Sequence, residues 1–181
     1  LLLRAVENFK NGKQTADFED LLHGDSAIEI NLHLPTFLPE DFCPDINERL
    51  RLYKRLACAE NNETLEDFTQ ELIDRFGKLP PYAQNLCATH QLRIFLKPFP
   101  IQKLEVNSDS IRLQFSSDFS KQKNTIIDPA QIIFLIQNDK RFKLAGQDQL
   151  RFIVDSENLE EKITKIHELF KLLTQKPSFP R

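Results

Sequence analysis

At 181 residues, with 24 lysines and arginines against 27 aspartates and glutamates, the chain carries a net charge of −3. That length admits one domain, or one with a small satellite. A composition of 40% apolar and 28% charged residues excludes disorder throughout. No apolar run approaches the ~20 residues of a membrane span, and Leu1-Leu2-Leu3 is broken at once by Arg4, so neither a span nor a secretory leader is expected.

Methionine is absent altogether, and Leu1 is too large to follow a removed initiator. The chain is therefore expected to be a piece of a longer protein, with a role inside that parent. Three cysteines, Cys43, Cys58 and Cys87, are an odd number without CxxC spacing. They read as small hydrophobes in a reducing cytoplasm rather than as a zinc or disulfide set.

Residues 1–10 read as the tail of a helix and 11–26, with two of the four glycines, as a loop. Ala27–Leu34 alternates, with Ile28, Ile30, Leu32 and Leu34 on one face, and predicts a half-buried strand on which His33 is solvated. Pro35–Pro44, with three prolines, is an extended connection. Three helices follow. Asp45 caps the first, with Glu48 at capping-box spacing and a stripe of Ile46, Leu50, Tyr53 and Ala57. The second starts near Thr64 and buries Leu65, Phe68, Leu72 and Phe76 before a left-handed cap at Gly77. Pro80-Pro81 opens the third, carrying Leu86, His90 and Ile94, which Lys97-Pro98 ends.

From Ile101 the period changes to two. Ile101–Val106 and Ser110–Phe115 form a hairpin around Asn107-Ser108-Asp109. Asp128-Pro129 starts a short helix through Ile132, Ile133 and Ile136, with Asp128 as cap and Pro129 in the first turn. Phe142–Ala145 and Leu150–Val154 pair around a turn that opens at Gly146. A last amphipathic helix carries Leu159, Ile163, Ile166, Phe170 and Leu173, and residues 177–181 are a frayed tail. Helices grouped early and hairpins late predict an α+β fold in a single domain over residues 1–176, with a helical N-terminal half that includes one strand, then β-hairpins and a C-terminal helix.

Chemistry is conspicuous by what the pattern lacks. Glycines 12, 24, 77 and 146 are too sparse for a phosphate loop, and histidines 23, 33, 90 and 167 lie too far apart for a metal motif. No serine sits in a GxSxG turn. The fragment is therefore expected to have no catalytic residues, no cofactor and no metal. The helix–Gly–Pro-Pro–helix unit could pass for a DNA-reading motif, but Arg93 and Lys97, both at its end, are the fixed cations of the would-be recognition helix. Residues 1–97 carry 11 basic against 16 acidic side chains, and residues 98–181 carry 13 against 11, so the helical half repels DNA. Lys121, Lys123, Arg141 and Lys143 read as a solvated surface, with a modest basic patch as the other reading.

One constellation stands out. At ~100° per residue, Glu71, Asp74 and Arg75 share a stripe beside the apolar face of the second helix. Glu71 and Arg75 form an i,i+4 pair in the favourable order. Read on physics alone this is a solvated face with one ion pair. The sharper reading is a docking stripe of two acceptors and one guanidinium, suited to bidentate charge pairing with a partner.

The run Glu71-Leu72-Ile73-Asp74-Arg75-Phe76-Gly77-Lys78-Leu79-Pro80 resembles the ELxDRFGxLP stretch of the C-terminal domain of bacterial transcription-repair coupling factors (Mfd). Leu38-Pro39-Glu40-Asp41-Phe42-Cys43-Pro44-Asp45, followed by Arg49-Leu50 and Tyr53-Lys54-Arg55, is similar to that family's LPxxFxPDxxxRLxxYKR block, with Cys43 in place of the usual aliphatic residue. The resemblance implies a cytoplasmic bacterial parent that is an ATP- and Mg-dependent translocase on double-stranded DNA, displaces stalled RNA polymerase and recruits UvrA in nucleotide-excision repair. It implies that this domain packs on the UvrB-like N-terminal module of the same chain, masks UvrA binding and restrains the motor, with Glu71, Asp74 and Arg75 as docking residues. On that reading DNA is met through the parent alone, and the fragment is monomeric. The alternative is a nucleic-acid-binding accessory domain of a helicase-like protein.

Overall fold

The computed structural model describes residues 28–119 and 126–176. The helix and loop expected before residue 27, Lys121 and Lys123, and the tail after 176 lie outside the described residues. Among the described residues, five helices and a five-stranded mixed sheet make an α+β fold. They divide into two compact units, one of Leu34–Phe95 and one of Ile28–His33 with the chain from Leu96 onward.

The first unit holds α1 (Ile46–Ala57), α2 (Asn62–Phe76) and most of α3 (Pro81–Leu96). Asp45 caps α1 by accepting from the amides of Asn47 and Glu48, which satisfies two of the helix's orphan donors. The buried side of α1 is Arg49, Leu52, Tyr53 and Leu56. The expected stripe is corrected accordingly: Tyr53 is in it, whereas Ile46, Leu50 and Ala57 are only half-buried at its edge. Arg49 is the cause. Its guanidinium donates to the carbonyls of Cys43 (2.5 Å) and Pro44 (2.9 Å), so the proline-rich run satisfies a buried charge that polarity would place outside. The Tyr53 hydroxyl accepts from Leu38 N at 2.7 Å, pinning the same run, and burial pushes its pKa up to about 12.

α2 begins two residues before the expected start, because Asn61 caps it through Thr64 N at 2.8 Å. Leu65, Phe68 and Leu72 are buried in a core shared with Leu52, Leu56 and Leu86. Phe76, expected in that core, is half-buried and packs against Phe42 with ring centroids 5.4 Å apart and planes tilted by 52°. Gly77 ends the helix at φ 91° and ψ −164°. This is the extended mirror region that only glycine occupies comfortably, rather than the left-handed helical cap the sequence predicts.

In the second unit the strand order is β1-β2-β3-β5-β4, with β1 (Glu29–Asn31) parallel to β2 (Ile101–Val106). β3 (Ser110–Phe115), β5 (Gln149–Ile153) and β4 (Phe142–Gly146) continue antiparallel. β1 is shorter than its alternation predicts. Asn31 Oδ1 takes the amide of His33 at 2.8 Å, and His33 turns to φ 52°, ending the strand. His33 is exposed but not merely solvated, since its Nε2 lies 3.1 Å from Glu105.

One sheet face is apolar and buried, including Ile30, Leu104, Leu113, Leu150 and Phe152. α4 (Pro129–Asn138) and α5 (Leu159–Thr174) supply the complementary apolar residues. On α4 the buried set is Gln131, Ile132 and Leu135, and Ile133 faces solvent. Gln131 holds Leu172 O through its amide at 2.9 Å, and this bond between the helices decides the rotation. On α5 Lys162 is buried, donating from Nζ to Val106 O and Asn107 O at 3.2 and 3.3 Å, and so clasps the β2–β3 turn.

Candidate functional site

The expected stripe lies in the last turns of α2, on the first unit. Arg55 of α1 forks onto Glu71 with two parallel bonds, Nη1 to Oε1 at 2.7 Å and Nη2 to Oε2 at 2.6 Å. Arg75 donates to the same Glu71 Oε1 at 3.2 Å, the i,i+4 pair the sequence predicts. Its other nitrogen reaches across to Glu48 of α1 at 2.6 Å. Arg51 approaches Glu48 at 3.6 Å. The chain of alternating charge thus runs Arg51, Glu48, Arg75, Glu71, Arg55 over two helices.

Geometry of this kind makes rigid guanidinium planes. The Arg75 guanidinium lies 4.9 Å from the Phe76 ring centroid and Arg55 lies 5.7 Å from that of Phe68, so each cation is backed by an aromatic face. The paired hydrogen bonds from Arg55, reinforced by Arg75, hold the pKa of the Glu71 carboxyl down at about 2. Glu48 and then Glu71 raise the pKa of Arg75 further. Side-chain exposure decides which groups remain available: Arg55 and Arg75 are 52% and 41% exposed, Glu71 and Glu48 34% and 21%. The carboxylates sit under the arginines and orient them.

Asp74 is brought to the same end of α2 but not into the network. It is exposed and accepts from Gln70 at 2.9 Å. Gln70 also lines a groove of about 530 Å³ between α2 and α3, whose other walls include Leu65, Thr69, Leu79 and Cys87. Sequence reasoning missed Arg55 and Glu48 as members of this site. Glu48 stood at capping-box spacing, yet its carboxylate turns to Arg75 and Arg51. Arg55 was visible only as part of a motif, because its partner lies 16 residues on in another helix.

No group of three or more histidine, cysteine or acidic side chains is placed to hold a metal ion among the described residues. Nor is any described helix long and apolar enough to cross a membrane. What the arrangement offers is two fixed, outward guanidiniums, with the exposed carboxylate of Asp74 one residue from Arg75. Planar guanidiniums held in this way have the chemistry for bidentate pairing with carboxylates.

A family model described as TRCF domain matches residues 32–126, more than half of the chain, and the chain belongs to that family. It is 35% identical over 176 residues to the transcription-repair-coupling factor of Escherichia coli (strain K12), covering 97% of this chain. The corresponding protein of Haemophilus influenzae is 29% identical over 174 residues, covering 96% of this chain. In both cases the match spans 14% of the relative's own length. A crystal structure of the C-terminal domain of a transcription-repair coupling factor has the same fold, with a TM-score of 0.64 at 21% identity, covering 84% of this chain and 94% of that one.

Proposed function

We propose that this chain is an autoinhibitory interaction module. Within a transcription-repair coupling factor it packs on the UvrB-like N-terminal module of the same polypeptide, masks the surface that binds UvrA, and restrains the ATP-driven DNA translocase motor. The chain contributes no catalytic group to this role. ATP and Mg belong to the parent's motor, and RNA polymerase and DNA are met by the parent.

The observation that carries the reading is the preset orientation of Arg75 by Glu48 and Glu71, at the positions that match the family's docking motif. An arginine already held by two carboxylates loses little side-chain entropy when a partner docks. Arg75 and Asp74 are the contacting groups, with opposite charges one residue apart. Glu71 is a positioning group as much as a contact, since Arg55 occupies both of its oxygens.

The test is a calorimetric titration of the separately produced UvrB-like module with this chain, wild type and with Glu71, Asp74 and Arg75 all changed to alanine. The expected result is saturable binding by the wild type and a loss of about 30-fold or more in the triple variant, with an unchanged circular-dichroism spectrum. Equal binding by a folded triple variant would place the contact elsewhere.

A further inference from the structure

Across the polar face of the sheet, one register row reads Asn31, Glu105, Arg112, Arg151, Lys143, from β1 to β4. Three cations therefore stand side by side on β3, β5 and β4, where neighbouring strands lie ~4.8 Å apart. Like charges directly opposite each other destabilise a sheet. Arg112 is relieved by Glu105 at 3.8 Å and Arg151 by Asp109 at 2.9 Å. Lys143, at the end of the row, has no ion-pair partner among the described residues.

Among the described residues β4 is an edge strand, paired only with β5. Because Ile153 N donates to Arg141 O, the antiparallel alternation turns the backbone groups of Lys143 toward β5 and those of Leu144 outward. Leu144 lies on the side of the sheet that carries Phe142, yet it is 65% exposed. α4 packs against β4 and presents Ile133, 58% exposed. A lysine alone is a common guard on a sheet edge. A guard does not require two further cations behind it, or two large apolar side chains left uncovered.

We propose that the free edge of β4 accepts an extended segment of a partner protein in which apolar and acidic residues alternate. The added strand would bond to the outward amide and carbonyl of Leu144. Its apolar residues would cover Leu144, and its acidic residues would follow Lys143 in the cationic row, the period-2 logic of strand addition. Charge favours this occupant over a second copy of the chain, whose own β4 would bring another Lys143 opposite the first or diagonal to it. It also disfavours a nucleic acid, because Glu29, Glu105 and Asp109 stand on or beside the same face. The inference is independent of the docking role assigned to α2.

The experiment is an amide-resolved NMR titration of the 181-residue chain with a capped ten-residue peptide alternating valine and glutamate. The valine–lysine counterpart and a 20-base-pair duplex DNA are run in parallel. The expected result is saturable shifts centred on residues 142–146, slowed exchange of the Leu144 amide, and no such response to the other two probes. Lys143→Glu should weaken the glutamate peptide about tenfold, as a cross-strand pair turned repulsive would, and admit the lysine peptide. Leu144→Ser, at a site already exposed, should weaken binding without unfolding the sheet. The proposal is overturned by an unmoved β4 at millimolar peptide, by shifts confined to another surface, or by equal binding of the lysine peptide. The same shifts produced by DNA, or by raising the concentration of the chain alone, would also overturn it, since they would assign the edge to a nucleic acid or to a second copy.

Discussion

Arg75 and Glu48 meet at 2.6 Å across two helices, joining the last turn of α2 to the first turn of α1. Each end is where its charge is favoured: the cation near a helix C-terminus, the anion near a helix N-terminus. The contact makes the proposed docking stripe a property of the pair of helices rather than of α2 alone.

Stability and docking should separate cleanly. Leu72 is fully buried in the core of the first unit, and Leu72→Ala is expected to cost about 2–5 kcal/mol. Arg75→Ala removes half-exposed ion pairs and should move the melting temperature far less. Phe76→Ala should fall between them, below the about 3–5 kcal/mol of a fully buried phenylalanine, because Phe76 is half-buried against Phe42. Thermal melts of the three variants check the order.

Gly77→Val should destabilise through the backbone alone. A Cβ at Gly77 meets nothing within 4 Å, so there is space for a side chain, but φ is +91°. A non-glycine residue in this region costs on the order of 1–3 kcal/mol. Gly77→Ala should therefore cost nearly as much as Gly77→Val in denaturant unfolding. A large gap between the two would point to side-chain crowding instead.

The Glu71 carboxyl gives the network a pH window. Its folded pKa is depressed to about 2 from 4.5, chiefly by Arg55, so the stabilisation is complete above about pH 4.5 and is lost as pH falls toward 2. Carboxyl-carbon NMR of Glu71 should follow that low titration. In Arg55→Ala the midpoint should rise toward 4.5.

His90 gives a second window in the opposite part of the scale. Its Nε2 holds Ala59 O at 2.9 Å, its buried Nδ1 has no partner among the described residues, and burial lowers its pKa below 6.5. The Nε2–H is the donor to that carbonyl, so the neutral ring fits and a second N–H would find no acceptor. In the unfolded chain the ring takes up a proton near pH 6.5, so stability should fall as pH drops below that value. Melting temperatures measured from pH 8 to pH 5 should show the slope, and His90→Gln should remove it.

Much of this fold is legible in the sequence where a local rule governs. β2 and β3 run over the residues their alternation predicts, and Asp45 and Asp128 cap the helices they precede. Three polar helix residues are buried where periodicity expects surface: Arg49, Gln131 and Lys162, each satisfied by backbone carbonyls distant in sequence or in a neighbouring loop. Polarity counts such residues as surface, and periodicity then rotates the helix. The parallel pairing of β1 with β2 spans some seventy residues and leaves no local trace. At the candidate site, the Glu71–Arg75 pair follows from helical spacing, whereas Glu48 and Arg55 depend on how α1 packs on α2.

The most direct test of the account is UvrA affinity of the full-length parent, wild type against the variant with Glu71, Asp74 and Arg75 changed to alanine. A clamp that weakens by about 30-fold or more shifts from mostly closed toward open, so the variant should bind UvrA markedly tighter and lose restraint on ATP turnover, with an unchanged melt of this chain. UvrA affinity equal to wild type, with the fold intact, would contradict the claim that this stripe holds the mask.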